Sequence, residues 1–296
     1  MADRNRVLLT GHSGFTGRYI LEAANRLGFE VFCLTNDGSP DGKSIDLLDY
    51  KEVNTAVREI APSSIIHLAA ISHVQHSPAC DFYSINVGGT RNLVEAVSNL
   101  KVSPKSCVFA STANLYRSKD GECLSENSDL WPVNDYAMSK KCMEEMLSLW
   151  SAKLPIIVTR PFNYTGIGQS ENFLIPKIVK HFRELQPVIH LGNLEVSRDF
   201  SDVRFIAEAY LRLASIKSDN ITLNLCSGIS TSIREIVKIC SEITGFTPEV
   251  VSNKEFRRDN EILSLRGDQT LMQKTLGFKS SYSLRETLSW MINHRD

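Results

Sequence analysis

The chain has 296 residues, 42% of them hydrophobic, which is ample for a large core, either in one domain with an elaborate second lobe or in two domains sharing a cleft. Lys and Arg number 33 against 34 Asp and Glu, so no broad field draws in nucleic acid or a membrane surface, and an anionic ligand must be met by a few placed cations. No stretch approaches membrane-spanning length and the N-terminus carries no cleavage signal, which points to a cytoplasmic protein.

Residues 6–10 read as a short buried strand. Thr10-Gly11-His12-Ser13-Gly14-Phe15-Thr16-Gly17 follows, then an apolar-periodic run through Tyr19, Ile20, Leu21 and Leu27. This is strand, glycine turn, helix. Glycines at 11, 14 and 17 permit a tight turn and let main-chain amides at a helix start approach a diphosphate, which the helix dipole also favours. The spacing is Gly-x-x-Gly-x-x-Gly, and its place at the first strand-helix junction predicts dinucleotide binding.

Gly28 ends the helix and 30–34 is a second strand, closing at Thr35-Asn36-Asp37. An acidic residue at this tip would hold a ribose diol and a basic one a 2′-phosphate. Thr35 and Asn36 are neutral and Asp37 lies late, so the choice between NAD and NADP stays open. Asp46-Leu47 follows a short third strand; Asp46 either bonds an adenine or caps a helix. Residues 63–70 form a fourth strand with a small-residue end, and its His67 reads as a buried structural histidine. A helix over 83–100 carries Asn86-Val87-Gly88-Gly89-Thr90, whose glycines suggest close packing against the sheet or a cofactor. Residues 106–111 are a fifth strand ending in Ser111-Thr112, a hydroxyl pair at the carboxyl end where open parallel sheets bind ligands.

Tyr136-Ala137-Met138-Ser139-Lys140 comes next. Residues four apart share a helix face, so the Tyr136 phenol and the Lys140 ammonium can enter one site. A phenol titrates near ~10, and a fixed cation beside it favours the phenolate and makes a proton shuttle at neutral pH. Residues 155–160 are a sixth strand, and the alternation of strands with helices predicts an α/β fold with a parallel, doubly wound sheet. From Pro161 the pattern changes. A turn-rich stretch through Gly168 leads to a helix over 173–185 and a strand over 188–192. Arg198-Asp199-Phe200-Ser201-Asp202-Val203 then enters a helix returned to the main sheet, with 222–226 its last strand. Helices follow over 232–244, 271–276 and 284–294, the last capped by Ser283. With no repeat or low-complexity linker, two lobes should interleave: 1–164 with 198–228, and 165–197 with 229–296. Seven cysteines, at 33, 80, 107, 123, 142, 226 and 240, stand singly, which indicates neither a zinc site nor a disulfide framework but mostly reduced core thiols.

Gly11-x-x-Gly14-x-x-Gly17, Asp46-Leu47, His67-Leu68-Ala69-Ala70, Asn86-Val87-x-Gly89-Thr90, Ser111-Thr112, Tyr136-x-x-x-Lys140 and Arg160-Pro161-x-Asn163, in this order, resemble the extended short-chain dehydrogenase/reductases that act on nucleotide sugars. The resemblance implies a Rossmann sheet with a smaller substrate lobe, a homodimer through the helices carrying Asn86 and Tyr136, and a catalytic set of Thr112, Tyr136 and Lys140. It places NAD or NADP against Gly11, Ser13, Gly14, Phe15, Thr16, Gly17, Thr35, Asn36, Asp46, Leu47, Leu68, Ala69, Ala70, Tyr136, Lys140 and Pro161. The second half looks most like the branch handling GDP-mannose derivatives. There Thr112, Asn163, Phe173, Pro176, Lys177, Leu194, Arg198, Arg258 and Glu261 are the expected substrate contacts, the cations and Asn163 on the pyrophosphate and the apolar residues around the base. Each of these cations could equally be a solvated surface group.

Three chemistries share this scaffold, and the residues after Thr112 separate them. The family's dehydratases carry a glutamate two residues after the threonine, often with an aspartate between, to move a proton at C5 and release the C6 hydroxyl. Here Ala113 and Asn114 stand there, which rejects dehydration. A 4-keto reductase of GDP-4-keto-6-deoxy-mannose type is the expectation, a nucleotide-sugar 4-epimerase the alternative, and a dinucleotide-binding protein without turnover the third reading.

Overall fold

The computed structural model describes residues 6–36, 38, 42–72, 78–117, 121–217, 219–252 and 263–294. They form two compact units. The first holds Met1–Arg117, Asp129–Pro161 and Ala207–Asn224; the second holds Ser118–Ser128, Phe162–Ile206 and Leu225–Asp296.

The first unit is built on a seven-stranded sheet in the order Ile221–Leu225, Ile156–Pro161, Ser106–Ala110, Ser64–His67, Arg6–Thr10, Glu30–Thr35, Lys43–Ser44. Order and burial explain each other. Arg6–Thr10, Ser64–His67 and Ser106–Ala110 are central, so Val7, Leu8, Leu9, Ile65, Ile66, Val108 and Phe109 are wholly buried, and their sequences run apolar without alternation. The strands pair in parallel, with Leu9 opposite both Cys33 and Ile66, and Val108 opposite both Ile66 and Ile157. Helices Tyr50–Ile60, Thr90–Ser98 and Asp135–Ser148 lay Val53, Val57, Leu93, Val97, Met143 and Leu147 into one core with these strands.

Local chemistry sets the helix ends. Phe15–Leu27 stops at Gly28, whose φ of 74° is left-handed and whose amide bonds back to the Ala24 carbonyl. Tyr50–Ile60 starts at Asp49, whose carboxylate accepts from the amides of Lys51 and Glu52. The single helix expected over 83–100 is instead Ala79–Tyr83, a π-helical stretch Ser84–Gly89, and Thr90–Ser98. Gly89 explains its own place, since a Cβ there would lie 3.1 Å from the Leu47 Cβ.

The second unit is organised by Ser197–Asp202. This strand pairs with Ser230–Ser232, Ser264–Gly267 and Asn163–Thr165, and Ser264–Gly267 pairs in turn with Cys123–Leu124. The sequence predicts only a lead-in to a helix at 198–202; a run of polar residues without alternation hides the strand. Because that strand is a hub, residues 198–206 group with the second unit rather than with the first-lobe segments expected from sequence. Helices Leu174–Arg183, Ile233–Thr244 and Leu284–Asn293 close a separate core around Ile175, Phe182, Ile236, Leu288 and Met291. Ser283 caps the last of these in a reciprocal box with Glu286. None of the seven cysteines is in a disulfide, and those at 33, 107, 226 and 240 are buried. Among the described residues no helix is long and apolar enough to cross a membrane.

Candidate active site

Parallel pairing brings the carboxyl ends of the central strands to one edge of the sheet, and each end carries a segment singled out by sequence. After Arg6–Thr10 comes the glycine turn. Gly11 has a φ of +76°, and a Cβ on it would lie 2.8 Å from the Ala69 amide nitrogen; a Cβ on Gly17 would lie 2.3 Å from the Gly11 carbonyl oxygen. Gly11 and Gly17 therefore admit no side chain, and the turn brings the Leu68-Ala69 main chain against Gly11. Gly14, the N-cap of Phe15–Leu27, makes no side-chain cap bond. A cradle of main chain at a helix start, closed to a Cβ at Gly11 and Gly17, fits a dinucleotide diphosphate.

A chain of hydrogen bonds runs beneath this turn. The Thr10 hydroxyl meets His67 Nδ1 at 2.7 Å and accepts from the Ala69 amide at 3.2 Å. His67 Nε2 meets the Thr90 hydroxyl at 2.9 Å, and that hydroxyl donates to the Asn86 carbonyl at 2.7 Å. Thr90 has spent its proton on Asn86, so Nε2 carries the imidazole hydrogen and Nδ1 accepts from Thr10. Burial holds His67 neutral, pulling its pKa down to about 3, with the Lys140 charge adding to the effect. His67 is thus structural, as its sequence position suggests.

Asn86 ties this region to the tyrosine helix. Its side chain accepts from the Ile71 amide at 2.9 Å, donates to the Ile71 carbonyl at 3.1 Å, and donates to the Ser139 hydroxyl at 3.0 Å. The sequence singles out this stretch for its glycines; the bridging amide could be found only from the fold.

Asp135–Ser148 is capped by Asn134, which accepts from the Ala137 amide at 2.8 Å. Tyr136 stands in its first turn with its ring edge-on to Phe82, centroids 6.3 Å apart. One turn on, Lys140 is 3% exposed and its Nζ donates to the Ala110 carbonyl at 2.7 Å. Burial lowers the Lys140 pKa to about 8, opposed by the Glu144 carboxylate. Ala110 ends the strand that continues into Ser111-Thr112, so the ammonium is fastened two residues before the threonine. The Thr112 hydroxyl accepts from the Asn114 amide at 3.2 Å, which leaves its own hydrogen to be donated. Lys140 is thus tied to the strand end that leads into Thr112, and Tyr136 stands one helical turn before it on the same helix.

Ser13 is exposed, and Phe15 and Thr16 are half-buried in the first turn of their helix. Thr35 is buried and Asn36 exposed at the tip of Glu30–Thr35. Asp46 is exposed and closes a turn by accepting from the Leu48 amide at 2.9 Å; the helix cap is Asp49. Leu47 and Ala70 are half-buried, and Pro161 ends its strand.

In the second unit Asn163 is exposed on its strand, Phe173 caps Leu174–Arg183 and is 49% exposed, and Leu194 is half-buried. Pro176 is buried in the first turn of that helix. Lys177 Nζ donates to the His190 carbonyl at 3.1 Å, and Arg198 to the Ser197 carbonyl at 2.8 Å. Next to Arg198, the buried Asp199 accepts from the Ser227 amide and hydroxyl and from the Gly228 and Gly267 amides, at 2.8, 2.6, 2.9 and 3.3 Å. It therefore fixes the main chain that carries Arg198. Arg258 and Glu261 lie outside the described residues.

The NAD dependent epimerase/dehydratase family model matches residues 7–226. This chain belongs to that family. It is an NAD(P)-dependent enzyme of nucleotide-sugar modification, within the extended short-chain dehydrogenase/reductases. It is 35% identical to GDP-6-deoxy-D-talose 4-dehydrogenase of Aggregatibacter actinomycetemcomitans over 98% of each chain. It is 29% identical to GDP-6-deoxy-D-mannose reductase of Pseudomonas aeruginosa over 97% of this chain and 96% of that one. A solved structure of RMD from Pseudomonas aeruginosa complexed with NADPH is 26% identical, with a TM-score of 0.86 and coverage of 97% of this chain and 96% of that chain. UDP-glucose 4-epimerases, some solved with NAD, are similar over nearly the whole chain as well.

Proposed function

We propose that this chain reduces the 4-keto group of a nucleotide-activated 6-deoxy-hexose of GDP-4-keto-6-deoxy-mannose type. The observation that carries the reading is the neighbourhood of Thr112. The turn Ala113–Leu115 that follows it offers an amide, Asn114, where a dehydratase of this family needs a carboxylate, while the buried Lys140 ammonium lies one helical turn from Tyr136. The site is equipped to move one proton at one oxygen. Two relatives whose names concern GDP-6-deoxy-hexoses, one a 4-dehydrogenase and one a reductase, support the same substrate class.

The glycine turn at Gly11, Gly14 and Gly17 and the Leu68-Ala69 main chain hold the dinucleotide. When bound, the nicotinamide supplies hydride to C4 or accepts it from there. The Thr112 hydroxyl donates a hydrogen bond to the C4 oxygen and fixes its position. Tyr136 acts as general acid, giving its phenolic proton to that oxygen as negative charge develops on it. Lys140 lowers the cost of the phenolate left behind, because a cation beside it favours the charged form. In the second unit Arg198, on the strand that Asp199 anchors, is with Asn163 and Lys177 a candidate donor to a pyrophosphate.

The test mixes the protein with NADPH or NADH and GDP-4-keto-6-deoxy-mannose and follows the absorbance of the reduced nicotinamide, with the product sugar identified by chromatography. Loss of absorbance with formation of a GDP-6-deoxy-hexose is expected. The similarity to UDP-glucose 4-epimerases supports a second reading, nucleotide-sugar 4-epimerisation on bound NAD. Interconversion of UDP-glucose and UDP-galactose with no net loss of reduced nicotinamide would favour it over reduction.

A further inference from the structure

The helix that carries Tyr136 and Lys140 continues the same four-residue spacing to Glu144. Its carboxylate is held by Arg160 in a two-pronged ion pair, Nε to Oε1 at 3.0 Å and NH2 to Oε2 at 2.6 Å, with the side chains only 7% and 10% exposed. Arg160 is braced in turn. Its NH1 donates to the Tyr116 hydroxyl at 3.1 Å, its guanidinium lies 5.1 Å from the centre of the Tyr116 ring, and Tyr116 donates to Asn224 Oδ1 at 2.6 Å.

A buried ion pair is a poor way to stabilise a fold. Removing both charges from water costs about as much as their attraction returns, and apolar replacements are often as stable. Its position suggests another use. The Lys140 ammonium touches the Ala110 carbonyl at the end of the Ser106–Ala110 strand, at 2.7 Å, and Met143 Sδ on its own helix, at 4.0 Å; Glu144, one helical turn on, and His67 of the Ser64–His67 strand act on it through space. His67 is neutral and the carbonyl and thioether carry no net charge. Glu144 brings negative charge, partly offset by the Arg160 guanidinium that stops its carboxylate from turning out to solvent.

We propose that Glu144 is a positioning residue for proton transfer: clamped by Arg160, it keeps the Lys140 side chain an ammonium beside Tyr136, and the clamp sets the pH range over which the site works. The proposal rests on Tyr136 and Lys140 being the proton-transfer pair. Arg160 then has a function of its own, since a carboxylate free to rotate would exert a weaker and variable field.

The test labels the lysine ε-carbons with 13C and titrates the Lys140 resonance by NMR, assigning it by its absence from Lys140→Met. In the wild type it should titrate at about 8. In Glu144→Gln the midpoint should fall by about one unit, as expected when a neighbouring opposite charge is removed, and in Glu144→Asp it should return toward the wild type. Glu144→Gln leaves Arg160 buried and unpaired, so a double variant, Glu144→Gln with Arg160→Met, covers the case in which the single one does not fold; its midpoint should also fall. The alkaline break in kcat should move down with the midpoint while KM for the sugar nucleotide is unchanged. A folded variant lacking the Glu144 charge whose Lys140 titrates as in the wild type overturns the proposal, as does a loss of rate and stability with the pH profile unmoved. The NMR titration needs no substrate. A wild-type protein inactive toward every nucleotide sugar, yet showing the shift, would sink the reductase reading and leave the role of Glu144 standing.

Discussion

Lys140 Nζ donates to the main-chain carbonyl of Ala110 over 2.7 Å, so a buried ammonium from one helix is fastened to the end of the strand that leads into Thr112. This anchorage has a thermodynamic signature. The folded pKa of about 8 lies below the ordinary 10.5. Below about 8 both folded and unfolded chains hold the proton, and the burial penalty is felt in full. Between the two values the folded chain has shed its proton while the unfolded chain still binds it, so unfolding becomes harder as pH rises. Urea unfolding at pH 7 and pH 10 should therefore show Lys140→Met losing, relative to the wild type, on the order of 3 kcal/mol across that interval. A difference between the two proteins that does not change with pH would refute the assignment.

Tyr136→Phe should leave the fold intact, because the ring keeps its edge contact with Phe82 and loses only a hydroxyl. Turnover should fall by roughly 10²–10⁴ while cofactor affinity measured by fluorescence stays as in the wild type. Retained turnover would remove this phenol from the mechanism.

Alanine in place of glycine inside a helix normally stabilises by about 1 kcal/mol. At Gly17 the sign should reverse, because the added Cβ meets the Gly11 carbonyl oxygen at 2.3 Å and the His12 Cα at 2.5 Å, both main chain. Gly17→Ala should cost about 1–3 kcal/mol in a melting experiment and weaken dinucleotide binding in calorimetry. Gly88→Ala is the matched control, since its Cβ would meet only the Leu48 Cδ2 at 3.7 Å, an ordinary contact.

His67 predicts the acid limb of stability. Its folded pKa of about 3 lies below the ordinary 6.5, so as pH falls through that interval the unfolded chain takes up a proton that the folded chain refuses, and stability drops with acidification. The loss should total on the order of 5 kcal/mol by pH 3. His67→Gln, whose amide can accept from Thr10 and donate to Thr90, should flatten that limb in pH-dependent urea unfolding.

The parts legible in the sequence are those with local causes. The strand-glycine-helix start, the Gly28 stop and the Ser283 cap each depend on a few adjacent residues, and the apolar runs of the central strands follow from burial on both faces. The helical spacing of Tyr136 and Lys140 is equally local. Ser197–Asp202 was hidden because Ser-Arg-Asp-Phe-Ser-Asp has no apolar alternation; its polar side chains are satisfied by partners far away, such as Ser227 and Gly267 on Asp199 and Thr287 on Asp202. Two-residue strands such as Cys123–Leu124 are too short to carry a period at all. The ion pair of Glu144 with Arg160 spans helix and strand, and nothing in either segment announces the other.

The π-helical stretch Ser84–Gly89 holds one residue more per turn than the α-helices on either side of it. That surplus lets Asn86 reach across to Ile71 and Ser139 while Thr90, four residues on, still meets His67. Deleting a single residue from the bulge would restore a regular spiral and swing the Asn86 amide round by roughly 100°. The loop after Ser64–His67 would then come unfastened from the tyrosine helix, although neither had changed in sequence.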